Sequence, residues 1–333
     1  MTAMPLPQTG LREATAPPER RGIAREAVRM LVTDRENRTN THARFYELPH
    51  YARPGDLFVV NDSATMPAAI RATREDGENI ALHVSTMIDT RIWMAEPRGA
   101  IRAGEQLRLP DGGSAVAIAP AEPERPRLWY VWFQLPLPMN AYLAKNGEPI
   151  RYRYVHERFP LTDYQTMFAR KPGSAEMPSA ARPFVPRVVR EMRRGGAHFA
   201  NITLHCGVSS FEQPERPAAE RFYVPHETAA AVNDARREGR RVIAVGTTVV
   251  RALESAVRDG HAIAASGWTD LVIAPNHDLH VVDGLLTGFH EPGATHMSML
   301  RAFLDETLLG DAYDEAGERE YFYHEFGDVH LIA

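Results

Sequence analysis

The stretch that most constrains the fold is residues 241–254, which read Arg-Val-Ile-Ala-Val-Gly-Thr-Thr-Val-Val-Arg-Ala-Leu-Glu. The apolar run at 242–245 predicts a buried strand, and Gly246 interrupts it. Thr247 and Thr248 are typical caps for a helix with apolar residues on its inner side. Such a junction presents free backbone N–H groups to an anion or a polar ligand. Taken alone, the same pattern also fits an ordinary strand-to-helix junction.

The composition limits the class of protein. A chain of 333 residues, 44% hydrophobic and 24% charged, is typical of a soluble globular protein with two domains or one large insertion. It contains no apolar run long enough to span a membrane. The single cysteine, Cys206, excludes an internal disulfide. With no signal-peptide pattern at the N-terminus, this predicts a cytoplasmic protein in which Cys206 is a buried, inert thiol.

The charge pattern gives a weaker indication of partners. The net charge of −5 argues against a surface that binds nucleic acid everywhere, although a local basic patch remains compatible with it. Two arginine clusters lie on predicted helices, and each is either a phosphate-binding group or a solvated helix face. The clusters are Arg21, Arg25 and Arg29, and Arg187, Arg190, Arg193 and Arg194.

Changes in the pattern of apolar runs and glycines along the chain predict its domain organisation. Short alternating runs punctuated by glycine from about 68 to 131 predict a small β-barrel, and strands alternate with helices after it. We therefore predict an α/β catalytic domain (mixed α+β) from 20–66 plus 135–333, an inserted β-barrel domain at 67–134 and a flexible leader at 1–19. Later elements are predicted as strands at 270–274, 279–283 and 328–332, a turn at 284–288 and a helix at 297–308.

Many segments spread over most of residues 22–332, in the right order and spacing, carry a family resemblance. Together they resemble the S-adenosylmethionine:tRNA ribosyltransferase-isomerase family, which acts in queuosine synthesis. The matching segments are 55–63, 164–166, 172–175 running into Pro178, 202–205, 245–248 with Arg251 and 253–255, 268–270, 282–287 with 289–290 and Pro292, and 326–328.

The resemblance implies an α/β domain with a β-barrel inserted after the first strand, and a reaction that needs no metal. In this family S-adenosylmethionine is a co-substrate. Its ribosyl part passes to the aminomethyl group of a deazaguanine base in tRNA, methionine and adenine leave, and the sugar rearranges to an epoxycyclopentane. The sulfonium acidifies the neighbouring C5′ hydrogens, so a general base can produce an ylide.

The resemblance also implies roles for residues of this chain. The candidate bases or proton relays are His205, His290, Glu254 and Asp283, and the two histidines are the preferred proton handlers. Each of the four also fits a satisfied buried polar side chain. Gly246, Thr247 and Thr248 are expected to contact S-adenosylmethionine, Arg251 to hold a carboxylate or phosphate, and Asp62 and Asp283 to bond hydroxyls. The other expected cofactor-binding residues are Asn61, Tyr164, Gln165, Thr166, Thr287 and Phe289.

Departures from the family pattern leave the acceptor open. Arg182 and Pro183 stand where the family has leucine and histidine, the segment 208–220 is shorter and lacks histidine, and 288–291 is altered. One hypothesis is the family reaction on tRNA, and another is an S-adenosylmethionine-using enzyme with a small-molecule acceptor. A non-catalytic nucleotide- or RNA-binding module is a third, and a metal enzyme the weakest, since no histidine pair has zinc-protease spacing. The chain is predicted to be a monomer or homodimer without a membrane partner.

Overall fold

The computed structural model describes residues 10–124, 126–209, 218–275, 277–291 and 295–333. The strands of this part of the chain are β1 Arg12–Glu13, β2 Arg29–Asp34, β3 Thr39–Arg44, β4 Leu57–Asn61, β5 Ser63–Thr65, β6 Ala69–Thr73, β7 Asn79–Met87, β8 Ile92–Pro97, β9 Gln106–Arg108, β10 Ser114–Pro120, β11 Trp129–Gln134, β12 Lys171–Ser174, β13 His198–Leu204, β14 Glu220–Val224, β15 Val242–Val245, β16 Val257–Arg258, β17 His261–Ala262, β18 Ala265–Thr269, β19 Gly284–Gly288, β20 Phe322–Tyr323 and β21 Val329–Ile332.

Helices connect these strands. The α-helices are α1 Met139–Asn146, α2 Pro186–Arg194, α3 His226–Arg237, α4 Thr247–Ser255, α5 Thr295–Phe303 and α6 Glu306–Glu318. Short 3₁₀ helices lie at Pro18–Arg21, Arg25–Ala27, Phe45–His50, Pro110–Gly112, Leu161–Tyr164 and Ser179–Ala181.

A nine-stranded mixed sheet forms the centre of the main α/β part, in the order β18-β14-β13-β4-β15-β19-β21-β2-β3. Its middle strands β13, β4, β15 and β19 run parallel to one another, and antiparallel strands flank them. The carboxyl ends of the four parallel strands therefore meet along one edge of the sheet, which is where open α/β sheets usually bind ligands.

Both faces of this sheet are buried, and β15 shows why its sequence is continuously apolar. Val242 and Ala244 pack into the core formed with α3, α4, α5 and α6, whereas Ile243 and Val245 point into the core beneath α2. Alternation along a strand sends neighbouring side chains to opposite faces, so a strand covered on both faces needs apolar residues at every position.

The inserted β-barrel is confirmed. Six antiparallel strands close it in the order β10-β11-β8-β7-β6-β9, and they all lie between Ala69 and Gln134. Apolar side chains from the strands fill the barrel, and α1 packs on them through Tyr142 and Leu143. The mixed α/β fold class follows from the sheet and barrel together, while the domain boundaries at 66/67 and 134/135 stay a prediction.

Part of the predicted flexible leader is built into the fold. β1 pairs in parallel with β20, and Ala14 is fully buried among Tyr154, Tyr164 and Phe326. Residues 10–19 therefore pack against the main α/β part, and residues 1–9 of the predicted leader lie outside the described residues.

Several predicted elements near the C-terminus are shifted. The strand expected at 270–274 is β18, which ends at Thr269, and 279–283 forms no strand. Residues 284–288, expected as a turn, form the central strand β19 instead. The helix expected at 297–308 is two helices, because Asp305 caps α6 through its carboxylate and the N–H of Leu308 at 3.0 Å. The final strand is confirmed as β21.

Cys206 is buried with a free thiol, and burial raises the pKa of that thiol, as expected of an inert cysteine. Among the described residues, no helix has the length and apolarity that crossing a bilayer requires.

Candidate active site

The predicted site residues that follow the parallel strands meet at the carboxyl edge of the sheet. Asn61 ends β4, His205 follows β13, Gly246 follows β15, and Thr287 and His290 lie at and just beyond the end of β19. The barrel is close by, because the hydroxyl of Ser85 accepts the N–H of Val208 at 2.9 Å. This edge is the candidate active site.

The Asn61 side chain links the ends of β4 and β13 by hydrogen bonds. Its amide nitrogen donates to the Leu204 carbonyl at 2.8 Å, and its side-chain oxygen accepts the N–H of Leu204 at 3.0 Å and of Ser63 at 3.1 Å. The same amide nitrogen reaches the hydroxyl of Thr248 at 3.3 Å. Asn61 is fully buried, so these contacts with the protein account for its side chain. A direct contact with S-adenosylmethionine remains a prediction.

Asp62 gathers polar groups from β13 and β12. Its carboxylate accepts the Thr203 hydroxyl at 2.6 Å and the Asn201 amide at 2.9 Å, and the Lys171 ammonium lies 3.5 Å away. Asp62 is 3% exposed, so the charge of Lys171 and these two donors offset the cost of its burial. Whether it also bonds a substrate hydroxyl remains a prediction.

His205 lies in a chain of side-chain hydrogen bonds. Its Nδ1 is 2.8 Å from the Ser63 hydroxyl, which is 2.6 Å from the Ser174 hydroxyl. The ring packs directly on Gly173, where a Cβ would lie 2.5 Å from the ring atoms, so only glycine permits this approach. Within the described part of the chain, no residue hydrogen-bonds Nε2 of His205.

The protonation state of His205 follows from its surroundings. Burial lowers its pKa below the ordinary value; the nearby Asp62 carboxylate opposes this effect, while Lys171 and Arg221 add to it. The ring is therefore neutral at pH 7, and a neutral imidazole with one engaged nitrogen can accept a proton on the other.

The Gly246 turn has the predicted strand-to-helix geometry but a different cap. Gly246 itself is the N-cap of α4, with φ of 101°, a conformation that side chains rarely adopt. No side chain caps this helix, so the expectation that Thr247 and Thr248 cap it is wrong. Both threonines are half-buried on the first turn, and their contact with S-adenosylmethionine remains a prediction.

His290 lies at the same edge, close to other histidines. Its Nε2 is 2.9 Å from the Thr287 hydroxyl, and its ring stacks on His296 with the ring centres 4.5 Å apart. Burial, and then the neighbouring histidines, lower its pKa well below the ordinary value, so it is neutral at pH 7. Phe289 instead points into the core, where it stacks on His330 and contacts Tyr313.

The segment 164–166 ties the main α/β part to β5. The Gln165 side-chain amide accepts the Thr65 N–H at 3.0 Å and donates to the Thr65 carbonyl at 2.8 Å. It thus forms the two hydrogen bonds that a residue of a paired strand would form with Thr65. Tyr164 packs on Phe326, and the Thr166 hydroxyl accepts the Phe168 N–H at 3.3 Å. These are positioning contacts, and cofactor binding by the three residues remains a prediction.

Two predicted site residues on α4, Arg251 and Glu254, form hydrogen bonds with neighbouring loops and strands of the protein. The Arg251 guanidinium pairs with the Glu220 carboxylate and donates to the carbonyls of Leu271 at 3.0 Å and Thr269 at 3.1 Å. The buried Glu254 carboxylate accepts backbone N–H groups of the loop 280–281, at 2.9 Å and 3.0 Å. The structure thus gives both residues contacts that stabilise the chain.

Asp283 is separated from the other candidates. It precedes β19, and its carboxylate accepts the N–H of Val242, the first residue of β15, at 2.8 Å. It therefore lies at the amino edge of the sheet, roughly 13 Å from the carboxyl edge for a four-residue strand. The structure does not bring Asp283 together with His205 and His290.

One group of side chains has the donor types of a metal site. Ligand atoms of Glu254, His277 and His280 all lie within 4.8 Å of one another. The group lies on the loop side of α4, and Glu254 already accepts backbone N–H groups there. The prediction that the reaction needs no metal remains a prediction.

Sequence reasoning missed two acidic residues near the site. The Glu176 carboxyl group accepts the Ser209 N–H at 2.6 Å and its hydroxyl at 2.7 Å, and also bonds the Tyr152 hydroxyl. Glu325 bonds the Tyr154 hydroxyl, and the two tyrosine rings stack. The sequence feature that could have pointed to Glu176 is its position as the one charged residue in the segment 173–179, whose other residues are small or apolar.

The Glu176 carboxyl group makes stability depend on pH. Burial raises its pKa from 4.5 to about 8, so the folded protein binds more protons than the unfolded chain between these values. The contribution of this carboxyl group to the free energy of unfolding therefore falls as pH rises from 5 to 8. We expect Glu176→Gln, which keeps an acceptor for Ser209, to remove on the order of 3 kcal/mol of this decline. Urea unfolding at several pH values measures it.

The exposed Glu157 is the matched control for that experiment. Glu157→Gln is expected to leave the pH dependence of the unfolding free energy as in the wild type. An equally steep decline in Glu176→Gln would show that other groups, such as Glu325 with its pKa raised to about 7, carry the effect.

Arg182 of the altered segments and the arginine cluster at 21–29 are engaged with the protein, whereas Arg187, Arg190, Arg193 and Arg194 lie on the exposed face of α2. Buried Arg182 donates to the Asp163 carbonyl at 2.9 Å and to Glu19 at 3.0 Å. The cluster at 21–29 does not share one helix, and its members bond Phe326, Gln165 and Asp328 among other groups. Residues 210–217 of the shortened segment lie outside the described residues.

Comparison with known proteins identifies the family to which this sheet and barrel belong. A family model described as queuosine biosynthesis protein matches residues 6–332. The S-adenosylmethionine:tRNA ribosyltransferase-isomerase of Moorella thermoacetica is 36% identical over 92% of this chain and 93% of its own. That of Thermus thermophilus is 36% identical over 95% and 96%. The crystal structure of the S-adenosylmethionine tRNA ribosyltransferase of Thermotoga maritima covers 93% of each chain with a TM-score of 0.53 and 28% identity.

The fold is therefore that of a queuosine-biosynthesis enzyme with an inserted barrel. The chain belongs to the S-adenosylmethionine:tRNA ribosyltransferase-isomerase family, and the resemblance inferred from its sequence is confirmed.

Proposed function

We propose that this protein transfers the ribosyl part of S-adenosylmethionine to a 7-aminomethyl-7-deazaguanine base in tRNA and isomerises the sugar. The observation that carries the proposal is the match to relatives of that name over more than nine-tenths of both chains. His205 and His290 at the carboxyl edge support it, because each offers an imidazole that can take part in proton transfer there.

In this proposal His205 is the base. With the proton on Nδ1, the ring donates to Ser63, and Ser63 can donate onward to Ser174. Nε2 then carries the lone pair and takes a C5′ proton of S-adenosylmethionine, leaving the carbanion beside the sulfonium. The hydrogen-bond chain orients the imidazole and stabilises its charged form once it is protonated.

His290 is the second proton handler in this proposal. It is neutral and lies beyond β19, and the Thr287 hydroxyl fixes the orientation of its ring. Gly246, Thr247 and Thr248 supply the first turn of α4, whose free N–H groups suit polar or anionic parts of the co-substrate. The binding roles of the three residues rest on the position of this turn.

Mass spectrometry of the purified protein with S-adenosylmethionine tests the proposal. We expect adenine and methionine to be released only when tRNA carrying the aminomethyl-deazaguanine base is present, and chelator treatment should leave the release unchanged. Binding of S-adenosylmethionine without release on this tRNA would instead favour a different, small-molecule acceptor. Absence of binding would overturn the co-substrate assignment.

A further inference from the structure

Two outer strands next to the candidate site carry an exposed aromatic and cationic surface. Arg221 and Tyr223 are two residues apart on β14 and so point to the same side, and Trp268 on β18 is paired with Arg221. Tyr223 is 44% exposed and Trp268 is 43% exposed. With Lys171 from β12, these residues form what we call the edge platform.

Each ring of the edge platform is paired with a cation. The Arg221 guanidinium carbon lies 5.0 Å from the centre of the Trp268 ring, and the Lys171 ammonium lies 5.0 Å from the centre of the Tyr223 ring. Such pairs hold the aromatic rings in place and put positive charge beside them. On a chain with a net charge of −5, the edge platform thus places two cations beside two exposed aromatic rings.

The edge platform adjoins the proposed base. The His205 N–H donates to the Arg221 carbonyl at 3.0 Å, and the Lys171 ammonium donates to the Thr203 hydroxyl at 3.0 Å. The charges of Lys171 and Arg221 both lower the pKa of His205, so they act at close range. A ligand bound to these rings would therefore lie close to His205, the proposed base.

We infer that the edge platform binds the acceptor RNA by stacking unpaired bases on Tyr223 and Trp268, while Lys171 and Arg221 contact its phosphates. The inference rests on the proposed function and deepens it. Aromatic rings stack on the face of any exposed base, and positive charge follows the backbone, whereas a paired duplex hides its base faces. The structure thus selects an unpaired loop over a duplex.

Titration with a synthetic RNA hairpin that has an unpaired loop tests the edge platform. We expect Trp268→Ala and Tyr223→Ala each to weaken hairpin binding about tenfold without changing its salt dependence. Lys171→Ala should reduce the slope of log affinity against log salt concentration by about 0.7. A fully paired RNA of equal length should bind more weakly and be insensitive to the aromatic substitutions.

Tyr46 provides the matched control, since it is 41% exposed and follows β3 at the opposite edge of the sheet. Tyr46→Ala should bind the hairpin like the wild type, and Trp268→Phe should retain most of the affinity. With tRNA, the aromatic variants should raise KM and keep kcat. Thermal unfolding establishes that each variant is folded.

Unchanged hairpin affinity in both aromatic variants would overturn the edge platform, and so would equal affinity of the wild type for hairpin and duplex. If the wild type still releases adenine with tRNA in that case, the proposed function stands without the edge platform. Hairpin binding that depends on Tyr223 and Trp268, with no adenine released, would support the edge platform and overturn the reaction.

Discussion

Replacing His205 with alanine is expected to lower turnover by roughly 10²–10⁴-fold, the usual contribution of a positioned general base. The reason is that its ring is neutral, held at Nδ1 by Ser63, and placed at the carboxyl edge next to Asp62 and Lys171. Release of adenine from S-adenosylmethionine under saturating tRNA measures kcat directly. The affinity for S-adenosylmethionine should change much less than kcat.

The pH profile separates a proton-transfer role from a structural one. A base must be neutral to act, and burial lowers the pKa of His205 below its ordinary 6.5. The acidic limb of kcat is therefore expected below pH 6.5. Ser63→Ala, which removes the partner of Nδ1, should move this limb and lower kcat less than His205→Ala does.

His198 is the matched control because it lies at the amino end of the same strand, β13, and is exposed. His198→Ala is expected to keep wild-type turnover and its pH profile. If His205→Ala kept turnover within a few-fold of the wild type, His205 would not be the base, and His290 would be the remaining candidate at this edge.

Sequence periodicity was sufficient for the inserted barrel and the β15–α4 unit, because each has a strong local pattern. It was wrong at 284–288, where two glycines suggested a turn. A Cβ at Gly284 would lie 2.6 Å from the Ile243 side chain and 2.9 Å from the Ile332 carbonyl. Glycine is needed there because neighbouring strands approach closely, a tertiary requirement that the local sequence does not reveal.

The error in placing this strand, which was expected at 279–283 and lies at 284–288, also explains why only part of the site could be predicted. Asn61 and His205 were expected at the site through the family resemblance, and both lie where parallel strands end at the carboxyl edge. Asp283 was misplaced since the strand begins after it rather than ending at it. The sequence also could not reveal that Arg251 and Glu254 form their hydrogen bonds within the protein, because their partners lie 18 to 31 residues away along the chain.

Replacing Arg251 with alanine is expected to destabilise the protein by about 3–5 kcal/mol, the usual cost of leaving one member of a buried ion pair alone. Arg251 is 7% exposed and Glu220 is 9% exposed, and Glu220 also accepts the Gly207 N–H at 2.7 Å. The substitution leaves the Glu220 carboxylate buried without its cation. Urea unfolding measures the loss.

The double variant Arg251→Met with Glu220→Gln decides between a structural and a ligand-binding role for Arg251. It removes both charges, so it should recover much of the stability lost in Arg251→Ala. The exposed Arg237 on α3 is the control, and Arg237→Ala should unfold like the wild type. If the pair is structural, the folded double variant binds S-adenosylmethionine with wild-type affinity. A folded double variant with strongly weakened binding would show instead that Arg251 holds the co-substrate, using guanidinium N–H groups that the protein does not engage.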